Sequence, residues 1–204
     1  MKKSVLICIG GASANYLALK LANFLKNKFD VHLIISDGAK NVFKHEHNIG
    51  FKKFDKKIIS KKMKAFLDDD FFDRVNVYHD NDLSSKVSSG SFLNSNNFIG
   101  AFFYISSDLL SDFCYGKCDT LIKRVFFVSQ KQGVKSIVSP RESPYCKLYI
   151  KNILKLQKLG CIINPPIFGS YAGINDLSSV ENFIIGKWCD SIGIKNKLYK
   201  RWRG

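Results

Sequence analysis

IGGASAN, Ile9 to Asn15, separates two stretches with different apolar periods. Before it, Ser4-Val5-Leu6-Ile7-Cys8-Ile9 is short, uncharged and partly β-branched, which predicts a buried strand. After it, Tyr16 to Leu25 spaces its apolar residues three and four apart, which predicts a helix. A strand, a small-residue turn and a helix form a common phosphate seat in open α/β sheets, because the first N–H groups and the positive dipole end of the helix face the turn. Gly10 and Gly11 serve a bare sharp turn equally well. The stretch is not G-x-G-x-x-G, so its spacing alone leaves both readings open.

The chain of 204 residues is long enough for one domain with a full core, taken as residues 1–204. Its 46% apolar content with scattered charge fits a globular protein. No apolar run approaches the roughly 18 to 20 residues of a membrane span. Met1-Lys2-Lys3 and the apolar run behind it have the outline of a signal peptide, but Gly10-Gly11 cut the run short and an amphipathic pattern follows, so a core first strand is expected. The six cysteines, at 8, 114, 118, 146, 161 and 189, form no C-x-x-C pair, which points to a reducing cytoplasm. His45-Glu46-His47 is the one close histidine pair and nothing nearby completes a metal set, so no metal is expected. The formal charge of +15 is carried mostly by lysines spread along the chain. The densest cluster, Lys52 to Lys64, is followed by Asp68-Asp69-Asp70 and has no aromatic ladder or base-reading motif, so it is read as a solvated face rather than a nucleic-acid or membrane surface.

Strand and helix signals keep alternating. Phe29 to Ser36 is expected as a strand, Gly38 to His45 as a helix, Phe98 to Ile105 as a strand, Leu109 to Phe113 as a short helix and Leu121 to Val128 as a helix. Ser136 to Ser139 reads as a strand stopped by Pro140, and Cys161-Ile162-Ile163 as a last short one. Between them a helix to Lys158 is expected to bury Leu148, Ile150, Ile153, Leu154, Leu156 and Leu159 on one face. Asp176 to Trp188 closes the series as a helix capped by Asp176 or Ser178. Residues 50 to 86 give no clear signal, and Val87 to Phe92 reads as a loop. The order predicts an α/β, Rossmann-like (flavodoxin-like) three-layer sandwich with a mainly parallel sheet. Ligands in such folds sit beyond the carboxyl ends of the strands, which here carry Gly11-Ala12-Ser13, Ser36, Ser106-Ser107, Arg141-Glu142 and Pro165-Pro166. That set is rich in hydroxyls, holds one arginine and one carboxylate and lacks a histidine or cysteine nucleophile, which suits a phosphorylated ligand better than hydrolysis.

Ser139-Pro140-Arg141-Glu142-Ser143-Pro144 after an apolar strand, with Gly11-Ala12-Ser13 after the first, resembles the flavin prenyltransferases of UbiX type. Val87 to Phe92, Arg124 with Lys131, Ile163-Asn164-Pro165-Pro166, Tyr171, Gly186-Lys187 and Lys200-Arg201-Trp202 follow in the family's order, so the resemblance spans nearly the whole chain. It implies transfer of a dimethylallyl group from dimethylallyl phosphate to reduced flavin mononucleotide (FMN), in a homo-oligomer, dodecameric as in the family, that supplies prenylated FMN to a partner decarboxylase, often in ubiquinone synthesis. By the same resemblance Gly11, Ala12, Ser13, Ser36, Ser106 and Arg141 hold the flavin. Arg124, Lys131, Tyr171 and Lys187 bind dimethylallyl phosphate, with Glu46 reaching in from a neighbouring subunit. Glu142, Lys131 and Ser13 are the implied catalytic groups. The chain departs from the family pattern at Ala14, where a glycine is usual, and at Asp108-Leu109, where a lysine or asparagine and a threonine are usual. An aspartate there repels an anionic flavin unless it points away. The competing readings are a flavin-dependent cysteine decarboxylase and a non-catalytic flavin-binding subunit.

Overall fold

The computed structural model describes residues 2–50, 62–64, 66–94 and 97–202. Six parallel strands form one sheet in the order β3-β2-β1-β4-β5-β6: β1 (Ser4–Ile9), β2 (Asp30–Ile35), β3 (Val75–His79), β4 (Phe98–Ile105), β5 (Ser136–Pro140) and β6 (Ile162–Ile163). This is the doubly wound Rossmann order, and the chain reverses its direction of travel between β1 and β4. The expected strand at 29–36 begins at Asp30 and ends at Ile35, because Ser36 has left the sheet to cap the next helix.

The period of two along each strand divides the core. Val5, Ile7, Ile9, Leu33 and Phe102 face helices α1 (Tyr16–Leu25), α2 (Asp37–His47) and α8 (Leu177–Ile192). Leu6, Cys8, Ile34, Phe103 and Val138 face α5 (Ser107–Cys114), α6 (Leu121–Lys131) and α7 (Lys147–Lys158). Parallel strands buried on both faces read as continuous apolar runs, and β1 is buried at all six positions. Asp176 caps α8 in a reciprocal box with Ser179, which settles the choice between Asp176 and Ser178. Trp188 of α8 is fully buried against the rings of Phe102 and Tyr104, and its indole N–H donates to the Asn164 carbonyl at 3.1 Å. That bond ties α8 to the end of β6.

Three expectations are corrected. The unassigned stretch contains α3 (Phe71–Arg74) and the edge strand β3, whose pattern is weak because β3 pairs only with β2 and buries Val75 alone. Val87 to Phe92 is not a loop: a 3-10 turn at Lys86–Ser88 leads into α4 (Gly90–Leu93). Helix α7 buries Tyr149, Asn152 and Leu156, while Leu148, Ile150, Leu154 and Leu159 stay exposed. The apolar spacing of α7 was wide enough to fit two faces, and the sheet took the one centred on Tyr149 and Leu156. Of the Lys52 to Lys64 cluster only residues 62–64 are described, and there Lys64 pairs with Asp69 at 3.3 Å. None of the described helices is long and apolar enough to cross a membrane.

Gly10 and Gly11 are needed for close approach. A Cβ on Gly10 would stand 2.5 Å from Leu109 Cδ1 and 2.9 Å from the Tyr104 carbonyl oxygen. One on Gly11 would stand 3.0 Å from the carbonyl carbon of Gly38, a backbone atom of α2 that has little room to give. Gly11→Ala is expected to force α2 away from the β1 turn and to lower stability by about 1–3 kcal/mol, read as a fall in the urea midpoint at unchanged slope.

Candidate functional site

The strands end at one edge, and at the crossover between β1 and β4 a cleft of about 340 Å³ opens on the side covered by α1 and α8. Its lining is mainly apolar: Ala14, Leu17, Pro165, Pro166, Phe168 and Ile184, with Tyr16, Tyr104, Tyr145, Arg141, Glu142 and Glu181 as the polar groups. A largely apolar crevice with a few convergent polar side chains is the usual form of a small-molecule site.

Its floor is set by the loop after β5. The Arg141 N–H donates to the Ile105 carbonyl at 3.2 Å, which holds the β5 end against the β4 end. The Arg141 side chain is exposed at the cleft wall. Glu142 receives two hydrogen bonds, from the Ser107 hydroxyl to Oε2 at 2.6 Å and from the Ser143 N–H to Oε1 at 3.1 Å. Those donors, Ser107 first, hold its carboxyl below the ordinary glutamate range, so it is a carboxylate at neutral pH. The Tyr104 hydroxyl, buried at the cleft floor, donates to the Ser13 carbonyl at 2.8 Å, and burial pushes its pKa up. On the α1 side, burial and then the neighbouring Glu181 push Tyr16 up to about 12, so both phenols are neutral donors.

The turn after β1 has a conformation that the spacing did not reveal. Ala14 has φ +60°, in the left-handed region, which explains why a glycine is usual at this place. Its N–H donates to Glu46 Oε2 at 3.0 Å. Glu46 thus reaches this turn from α2 of its own chain. The physical reason is the close Gly11–Gly38 packing, which lays α2 against the turn. Ser36 caps α2: its Oγ accepts the Ala39 N–H at 3.0 Å and leaves its own proton free to donate.

Of the other expected residues, Gly11, Ala12 and Ser13 lie at the end of β1, Ser36 at the adjoining end of β2 and Ser106 at the end of β4 as the N-cap of α5. Asp108 is exposed in the first turn of α5, where its charge suits the helix dipole, and it is not among the cleft-lining residues. Tyr171 packs edge-on against Phe183 and Trp202 beyond the cleft, and Lys187 is half-buried on α8 one turn past Ile184. Arg124 and Lys131 do not join the cleft. They lie exposed on α6, on the other face of the sheet, two helical turns apart on one side with exposed Phe127 between them. Ser107 was expected at the strand-end edge but given no role. Tyr104, Tyr16 and Glu181 were missed, because they depend on packing that no local pattern encodes. Among the described residues no cluster of three His, Cys, Asp or Glu is arranged to hold a metal.

The class of protein follows from this cleft in a doubly wound sheet together with three comparisons. Residues 1–188 match the Flavoprotein family. A "Flavin prenyltransferase UbiX" from Campylobacter jejuni is 36% identical over 98% of both chains. The chain belongs to the flavoprotein family and, within it, to the UbiX-type flavin prenyltransferases. Two solved structures share the fold. One is AnUbiX (PadA1) in complex with FMN and dimethylallyl pyrophosphate, 23% identical with TM-score 0.83, covering 100% of this chain and 99% of that one. The other is a dodecameric FMN-dependent UbiX-like decarboxylase from Escherichia coli O157:H7, 22% identical with TM-score 0.81, covering 98% of this chain and 100% of that one.

Replacing Ala14 by glycine removes the left-handed penalty at the cost of a freer unfolded chain. Ala14→Gly is therefore expected to raise stability by about 0.5–1 kcal/mol, seen as a higher midpoint in urea.

Proposed function

We propose that this chain joins a dimethylallyl group to reduced FMN, with phosphate leaving, and that the product serves a partner decarboxylase. The observation that carries the proposal is the full-length 36% identity to a flavin prenyltransferase, combined with a cleft that offers an arginine, two carboxylates and three phenols beside apolar walls. The residues present fit FMN. Ser36 retains a free hydroxyl proton at the N-terminus of α2, and Arg141 has an exposed guanidinium suited to paired bonds with a phosphate. The apolar wall of Leu17, Pro165, Pro166 and Phe168 offers a surface for a planar ring.

Reduced FMN supplies the electron-rich ring that takes the prenyl group. The chain's residues supply the rest. Gly11, Ala12, Ser13, Ser36, Ser106 and Arg141 position the nucleotide. Glu142, ionised and fixed by two donors, is placed to take up a proton released at the cleft. Cations placed against the departing phosphate lower the barrier by answering the charge that develops on it. Tyr171 and Lys187 of the same chain and Arg124 and Lys131 of a neighbouring copy would fill that role. The position of Arg124 and Lys131 on the far face of their own sheet supports a homo-oligomer in which α6 of one copy completes the cleft of another, and the dodecameric relative provides a precedent. Six free cysteines, with burial raising the thiol pKa of Cys8, Cys161 and Cys189, support a reducing cytoplasm as the compartment. Asp108 is exposed in the first turn of α5, where the helix dipole favours its charge, which is compatible with this reading. A cysteine decarboxylase is disfavoured by the Arg141-Glu142 loop at the cleft wall.

Anaerobic incubation with reduced FMN and dimethylallyl phosphate should yield a flavin heavier by one prenyl unit on mass spectrometry. Bound but unmodified flavin would count against the reading. Arg141→Ala should weaken FMN binding by roughly 10- to 100-fold, the loss of a charge-assisted pair. Lys131→Ala should lower turnover by roughly 100-fold with flavin binding retained. Co-assembled Arg141→Ala and Lys131→Ala chains should regain activity, since some sites then contain neither lesion; no recovery would contradict sharing between copies.

A further inference from the structure

Glu142 stands at the mouth of the loop after β5, next to an exposed arginine, with no burial to fix its side chain. A free glutamate there would sample several rotamers and would swing toward the Arg141 guanidinium. Instead both oxygens are engaged: Oε2 by the Ser107 hydroxyl and Oε1 by the Ser143 N–H, neither of them a cleft-lining residue. Ser107 is the first residue of α5, so its Cβ is carried by a regular helix that rests on the sheet through Leu109, Leu110 and Phe113. A hydroxyl on such a frame fixes direction as well as distance. The bond also spans two strand ends, from β4 to β5, beside the Arg141 N–H to Ile105 carbonyl bond.

We infer that Ser107 is a positioning residue, which holds the Glu142 carboxylate with its remaining lone pairs toward the reacting centre. This rests on the prenyl-transfer reading given above. It gives the divergent Ser106-to-Leu109 segment a task in the reaction, since its second serine aims the carboxylate. The ionisable groups that bear on Glu142 are Arg141, which favours its charge, and the phenol of Tyr149, itself raised by burial, with Tyr145 lining the same cleft. None of these donates a hydrogen bond to it, so Ser107 is the side chain that sets its orientation.

The test uses the full chain with Ser107→Ala, Ser107→Thr and Glu142→Gln. Losing the hydroxyl removes a donor that favours the charged form, so the Glu142 pKa must rise. The acid limb of the turnover profile should move up by about 0.5 to 1 pH unit in Ser107→Ala, with turnover at neutral pH falling about 3- to 10-fold and the KM for FMN nearly unchanged. Ser107→Thr should restore the limb, and Ser107→Ala added to Glu142→Gln should cause little further loss. An unshifted limb, or an equal loss in the Glu142→Gln background, would overturn the inference. A second readout does not depend on turnover: carbon-13 NMR of the Glu142 carboxyl, assigned by its absence in Glu142→Gln, should titrate at higher pH in Ser107→Ala than in the native chain. Equal titration in both would overturn the role of Ser107 even if the chain made no prenylated flavin, whereas absence of product with the shift present would fault only the functional reading.

Discussion

The contact of Gly11 with Gly38 is the constraint on which the rest of the site depends. With no Cβ on either residue, the turn after β1 and the first turn of α2 touch backbone to backbone. That contact brings Ser36 beside the β1 end, lays α2 along the turn and carries Glu46 to the Ala14 N–H at 3.0 Å. Gly10 plays the same part on the other side, admitting the Tyr104 carbonyl and Leu109. The strand ends are drawn together by these close approaches, and the cleft lies beside them.

The electrostatics of the edge follow from what is left unpaired there. Many of the chain's charges are answered locally, as in Lys26 with Asp68 and Asp70, Lys123 with Asp112 and Asp119, and Arg201 with Asp190. The half-exposed Arg201–Asp190 pair adds little stability, whereas Lys26 and Lys123 are buried and need their carboxylate partners. Arg141, by contrast, has an exposed guanidinium, and its neighbour Glu142 spends its oxygens on Ser107 and Ser143. The overall charge of +15 adds a diffuse attraction for phosphate-bearing ligands.

Much of this was legible in the sequence where local pattern and tertiary demand agreed. β1 and α1 have the bounds their periodicity predicts, because a strand buried on both faces and a helix buried on one leave unambiguous signatures. β3 was invisible because an edge strand with one buried residue has almost no pattern, and the outer face of α7 was misjudged because Leu148, Ile150 and Leu154 are apolar without being buried. In the site, Arg141 and Glu142 were found because a family motif names them. Tyr104 and Tyr16 were not, since each acts through a neighbour brought up by the fold. Arg124 and Lys131, seven apart, do share one side of a helix, but their spacing does not tell on which face of the sheet that helix packs.

The stretch from Ile9 to Asn15 can now be separated into two physical parts. Its glycines serve packing, since neither Gly10 nor Gly11 adopts a positive φ. The left-handed position is Ala14, and there the chain keeps the conformation of the glycine it replaces. A left-handed alanine persists only where its surroundings over-determine it. Here the Ala14 N–H is held by a carboxylate, and a negative charge at the start of α1 is favoured by the helix dipole. The same carboxylate, however, occupies part of the positive end of α1 that a phosphate would otherwise use. Ser36 at the start of α2 keeps a free proton, and Arg141 presents an exposed guanidinium at the cleft wall. The motif that opened the question sets the spacing of the strand ends, and residues far along the chain carry the charge.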